Sequence, residues 1–119
     1  MDAINAGLLD PQAKPTAETE TPLYANVNGN RAFGQVTATF AMELAIKKAK
    51  ENGLSIVGCY NMNHAGRLGD YVEMAAGEEL IAMAFCNGGG PNVAPFGARK
   101  KCWAQILSLS PHRQVQERK

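Results

Sequence analysis

One histidine stands where chemistry could be done. His64 lies in Asn61-Met62-Asn63-His64-Ala65-Gly66, a turn between an apolar run that ends at Cys59 and an amphipathic stretch that opens at Leu68. Imidazole exchanges a proton near neutral pH, and ligands gather at strand ends in α/β folds. Beside a helix N-terminus, the positive end of the dipole disfavours imidazolium and leaves a neutral ring able to accept a proton. A general base is one reading. A ring that caps the helix or bonds a loop carbonyl is the other.

Two further features could hold a ligand. Asn87-Gly88-Gly89-Gly90-Pro91 follows a second apolar run, and glycines without side chains let backbone amides approach a phosphate or a flat ring. The spacing is not G-x-G-x-x-G, so a flexible loop is the competing reading. Arg67, three residues after His64, could pair with a substrate carboxylate or simply stand in solvent. Cys59 and Cys86 end apolar runs and read as small core residues, with nothing nearby to make either thiol nucleophilic. Glu78-Glu79 and Lys47-Lys48 read as exposed helix-end charges.

The elements that must position these residues follow from periodicity. Residues 1–22 carry Pro11, Pro15 and Pro22 and read as an extended lead-in without regular structure. Residues 23–27 suit a short strand, followed by Asn28-Gly29-Asn30 as a turn. Val36, Phe40 and Leu44 recur four apart, with Met42 and Ile46 beside them, so residues 35–52 are predicted to be a helix whose first turns are buried nearly all round. Lys47, Lys48 and Lys50 offset its dipole, and Gly53 suits the left-handed residue after it. Residues 54–59 form a predicted buried strand, and Leu68, Tyr71, Val72, Ala75 and Ala76 mark one face of a second helix, with Arg67, Asp70, Glu73 and Glu78 on the other. Residues 80–86 are a further predicted strand. Strand, helix, strand in that order implies a parallel crossover covered by the first helix, hence the α/β class.

Composition narrows the function. The chain has 119 residues, 45% of them hydrophobic, which suits one small globular domain. No apolar run approaches the roughly 18 residues needed to span a bilayer, and the first ten residues do not have the pattern of an export signal. Three cysteines without C-x-x-C spacing, and two histidines far apart, argue against a metal centre or a disulfide scaffold. The net charge of +1 hides an asymmetry: residues 1–98 hold six basic and ten acidic side chains, and residues 99–119 hold six basic and one acidic. A basic tail could make the chain a non-catalytic binding module for nucleic acid or an acidic surface, but Trp103 is its only aromatic.

Taken in order, Ala6-Gly7-Leu8-Leu9-Asp10-Pro11, Ala13-Lys14-Pro15, Asn28-Gly29-Asn30, Phe33-Gly34-Gln35, Ala41-Met42, Ala45-Ile46, Asn63-His64-Ala65-Gly66, Gly69, Tyr71, Ala75-Ala76 and Val93-Ala94-Pro95-Phe96-Gly97 are found in this chain. This series resembles the malate/L-lactate dehydrogenases, a family that includes ureidoglycolate and sulfolactate dehydrogenases. The resemblance implies part of a non-Rossmann α/β fold and hydride transfer between NAD or NADP and a 2-hydroxy acid or 2-keto acid. It also implies a cytoplasmic enzyme that is a homodimer in its complete form. The histidine of the Asn-His-x-Gly turn is the family's proton acceptor, which makes His64 the catalytic residue here. The loop after the second apolar run contributes to the cofactor site, which makes Gly88 the best cofactor-binding position and Asn87 the second.

Departures from the family pattern accompany the likeness. The upstream Ser-His-Gly motif with its following arginine, which helps to bind substrate, is missing, so the chain reads as a fragment expected to be inactive alone. Beyond Gly97 the family continues Leu-Gly-Thr-Asn-Pro-Ile, whereas this chain has Cys102-Trp103-Ala104-Gln105-Ile106-Leu107-Ser108. Joining the last base of each codon to the first two of the next turns Cys-Trp-Ala into Leu-Gly, whichever codons are used. The next shifted codons can read Thr, Asn, Pro and Ile. A frameshift between Gly97 and Cys102 therefore accounts for the basic tail at 99–119, leaving residues 23–98 as the family domain.

Overall fold

The computed structural model describes residues 2–87 together with Gly97 and Arg99. Gly88 and nearly all of the basic tail lie outside the described residues. The chain divides into two compact units, Met1–Arg67 and Leu68–Lys119.

The first unit opens with a one-turn helix, α1 (Asp2–Asn5), and then forms two antiparallel strands, β1 (Thr16–Glu20) and β2 (Tyr24–Asn28). The lead-in is therefore not devoid of regular structure, as its prolines had implied. β1 carries no apolar period because every residue in it is exposed. It is held by its ladder to β2 and by a tight connection in which the Thr21 amide donates to the Tyr24 carbonyl at 2.7 Å. Glu18 sits where the pairing register slips, so one residue of β1 bulges out of the ladder.

Helix α2 (Gly34–Asn52) and strand β3 (Ile56–Tyr60) complete the sheet, with strand order β1-β2-β3 and β3 parallel to β2. The parallel crossover is therefore β2-α2-β3. It does not use residues 80–86 as predicted. Ala25 and Val27 on β2 are fully buried and α2 packs on β2 and β3. Burying the Val27 side chain contributes about 1.5–3 kcal/mol. The buried line of α2 is Gly34, Thr37, Ala41 and Lys48, spaced for one helical face. Val36 is 47% exposed, so the first turns are not enclosed. Small residues let the helix lie close to the sheet, while Val36 and Phe40 line an open groove of about 610 Å³ with Lys14, Pro15, Gln35, Thr39 and Glu43.

Lys48 reverses another expectation. It is 5% exposed, and its Nζ donates to the Thr21 carbonyl at 2.7 Å and pairs with Glu20 at 2.8 Å. A lysine placed by sequence at a solvated helix end instead ties α2 to the β1–β2 connection. Gly53 closes the helix as expected, with φ 85° and its amide donating to the Ala49 carbonyl at 2.7 Å. β3 departs from its predicted burial: Leu54 and Ile56 are each 64% exposed. Among the described residues β3 is the edge of the sheet, so an apolar composition does not by itself enclose it.

In the second unit, α3 (Leu68–Gly77) buries Leu68, Gly69, Tyr71, Val72 and Ala75, the face that spacing predicts, and exposes Asp70 and Glu73. The helix ends where the Leu80 and Glu78 amides return to the Ala75 carbonyl and Glu79 adopts φ 62°. Residues 80–86 make no strand. Isolated bridges occur at Ala84 and Asn87, while Ile81, Met83 and Phe85 are exposed in alternation. The period of two is present, but a strand also needs a continuous ladder to a neighbour. No helix among the described residues is long and apolar enough to cross a membrane.

Candidate active site

Parallel pairing brings the C-terminal ends of β2 and β3 level, with Asn28 opposite Tyr60. The two loops that leave these ends stay joined. The Gly29 amide donates to the Tyr60 carbonyl at 2.9 Å, the Arg31 amide to the Asn61 carbonyl at 2.9 Å, and the Asn63 amide to the Ala32 carbonyl at 3.4 Å. His64 follows directly and is exposed. The turn therefore presents an imidazole to solvent from a backbone that is tied down one residue earlier.

The start of α2 adjoins this turn. A β-carbon on Gly34 would lie 2.1 Å from the Asn63 carbonyl oxygen and 2.4 Å from both the carbonyl carbon and oxygen of His64. Only a residue without a side chain allows that approach. Gly29 is similarly enclosed, by Met62, Asn61 and Thr37. The helix start beside His64 in this unit is thus that of α2, which precedes it in sequence, whereas spacing had suggested the helix that follows.

Asparagines and one carboxylate brace the loops. Asn28 Oδ1 accepts from Asn61 Nδ2 and from the Asn30 amide, each at 2.9 Å, and Asn28 Nδ2 donates to Glu18 at 2.8 Å. The other Glu18 oxygen accepts from the Tyr60 hydroxyl. Hydrogen bonds from Tyr60 and then Asn28 hold the Glu18 carboxyl below its ordinary value, and the bond to Glu18, followed by burial and the Glu18 charge, raises the Tyr60 hydroxyl. The bulge in β1 thus carries a function in the sheet that sequence reading did not find, since Glu18 has no apolar or catalytic spacing to mark it.

The remaining candidates are distributed as follows. Arg67 is exposed and ends the first unit. Cys59 is an exposed residue with a free thiol, contrary to its expected place in the core, and partial burial of that thiol pushes it up from its ordinary value. That direction disfavours the thiolate and a nucleophilic role. Asn87 is exposed in the second unit, and Gly88 lies outside the described residues. Sequence reasoning missed Gly34 and the side chain of Asn63. The only sequence signal for either was membership in a short motif.

Fold and site together define an α/β piece with a histidine set beyond the C-terminal ends of a parallel strand pair. The chain belongs to the malate/L-lactate dehydrogenase family, whose model matches residues 1–105. It is 41% identical over 111 residues to the L-sulfolactate dehydrogenase of Methanothermobacter thermautotrophicus, covering 93% of this chain and 31% of that protein. It is 35% identical over 96 residues to the NAD(+) ureidoglycolate dehydrogenase of Escherichia coli O157:H7, covering 81% of this chain and 27% of that protein. In structure it resembles the sulfolactate dehydrogenase of Methanocaldococcus jannaschii, with a TM-score of 0.77 and 33% identity over 92% of this chain and 35% of that one. The chain spans about a third of the length of these relatives.

Proposed function

We propose that this chain carries the proton-transfer residue of an NAD(P)-dependent 2-hydroxyacid dehydrogenase, and that His64 is that residue. The observation that carries this reading is the placement of an exposed imidazole on a turn pinned beyond the C-terminal ends of β2 and β3 and against the start of α2. Family membership and the similarity to sulfolactate and ureidoglycolate dehydrogenases support the chemistry.

In hydroxy acid oxidation the neutral His64 ring takes the hydroxyl proton as the carbonyl forms, and in keto acid reduction the imidazolium returns it. A bound nicotinamide supplies the hydride acceptor or donor. The family likeness makes Asn87, which is exposed, a candidate for a cofactor contact through its side chain and main chain. Gly88 offers main-chain groups alone, because it has no side chain. The tied backbone of the turn and the exposure of His64 support this reading.

We further propose that residues 99–119 are frameshifted and that the chain alone lacks turnover, as it spans about a third of the length of its relatives. Malate, lactate and sulfolactate oxidation with NAD or NADP tests both readings. The chain alone is expected to show no turnover. The protein completed from flanking DNA with its frame restored should turn over one of these acids, and His64→Ala should lower kcat about 100-fold or more. Undiminished turnover in that variant would exclude His64 as the proton acceptor.

A further inference from the structure

The residue before His64 is bound from its side chain as well as its main chain. Asn63 is half-buried, and its Nδ2 lies 3.1 Å from the Leu8 carbonyl, 3.2 Å from that of Arg31 and 3.4 Å from that of Ala32. Only the NH₂ end of an amide can face three carbonyl oxygens. Those carbonyls come from the lead-in and from the loop after β2, and the two are joined again where the Asp10 amide donates to the Arg31 carbonyl at 3.0 Å and Arg31 Nη1 to the Gly7 carbonyl at 2.9 Å. The β2 loop holds two consecutive left-handed residues, Asn30 at φ 52° and Arg31 at φ 65°, and Asn61 across from them has φ 51°. Such conformations persist only where surrounding bonds determine them.

We propose that Asn63 is a positioning residue for His64. Its amide ties the turn to the lead-in at Leu8 and to the β2 loop at Arg31, while Gly34 limits movement from the side of α2. Asn63 holds the main chain just before the imidazole, and Gly34 packs on the Asn63 carbonyl and on the His64 carbonyl just after it, so the backbone that carries the ring is held on both sides. The proposal rests on the reading of His64 as the proton acceptor, but His64 can be observed without any substrate.

Nuclear magnetic resonance on the labelled full chain tests it. The chain has two histidines, so the ring signals of His64 are assigned by their loss in His64→Ala. In Asn63→Ala the His64 ring shift should move toward that of a free histidine, and the heteronuclear NOE at His64 should fall while the amides of Ala25 and Val27 stay in place. An unchanged His64 signature would overturn the proposal. So would an equal loss of order at Val27, which would make Asn63 an ordinary stabilising residue. If Asn63→Ala does not fold, the unmodified chain decides: the Asn63 side-chain amide should exchange with solvent about tenfold more slowly than that of exposed Asn5, and equal exchange overturns the assignment. None of these results depends on turnover, so failure of the positioning role is distinct from failure of the proton-transfer role.

Discussion

Gly34 and His64 meet main chain to main chain, with the helix-starting glycine so near that a β-carbon on it would lie 2.4 Å from the His64 carbonyl. This one approach ties the start of α2 to the turn beyond β3, across thirty residues of sequence that include the whole crossover helix.

Gly34→Ala is therefore expected to destabilise the chain. Alanine in a helix is favoured over glycine by about 1 kcal/mol. Forcing a methyl group into packed backbone costs about 3 kcal/mol. The clash wins because the neighbours are main-chain atoms that cannot rotate away, leaving a net loss of about 2 kcal/mol in urea unfolding. Gly77→Ala, where a β-carbon meets nothing within 4 Å, should be neutral or stabilising. Equal effects at the two positions would contradict the close approach.

Lys48→Met should lower stability by about 1–3 kcal/mol, because the Thr21 carbonyl and the Glu20 carboxylate both lose their donor. Lys47→Met, at an exposed position on the same turn, should change it by less than about 0.5 kcal/mol. Thermal unfolding of the pair separates the buried lysine from its solvated neighbour.

Stability should also depend on pH through the sheet carboxylates. The Tyr60 and Asn28 hydrogen bonds hold Glu18 below its ordinary value of 4.5, and the hydrogen bond and charge of Lys48 do the same to Glu20. Both groups bind protons less readily when folded. Their contribution is complete above pH 4.5 and is lost as pH falls through the lowered folded values. Tyr60 has the opposite sign: its contribution is present below pH 10.0 and is lost as pH rises through its raised folded value. Urea midpoints measured down to about pH 3 should fall less steeply in Glu18→Gln than in the unaltered chain. An identical acid limb in the two would rule out Glu18 as a contributor.

The DNA makes a separate prediction. Reading codons 102–108 in the shifted frame should give Leu-Gly-Thr-Asn-Pro-Ile, followed by further dehydrogenase sequence. A shifted frame that soon meets stop codons or unrelated sequence would refute the frameshift.

Sequence alone determined α2, α3 and the histidine turn, though not the one-turn α1. The 3.6-residue period, the lysines and Gly53 placed α2 within a residue of its observed start, and the apolar face of α3 was read correctly, because these are signals between residues a few positions apart. The Asn-His-x-Gly turn singled out His64 on composition and family likeness together. Tertiary structure decided what these elements meet. Thr16–Glu20 has no apolar pattern and becomes a strand only because β2 supplies a ladder, while residues 80–86 have the pattern and, among the described residues, only isolated bridges. Lys48 looked like a solvated charge until the β1–β2 connection placed a carbonyl and a carboxylate beside it. The support for His64 from Gly34, Asn63 and Leu8 joins segments far apart in the chain, and no local period can encode such a contact.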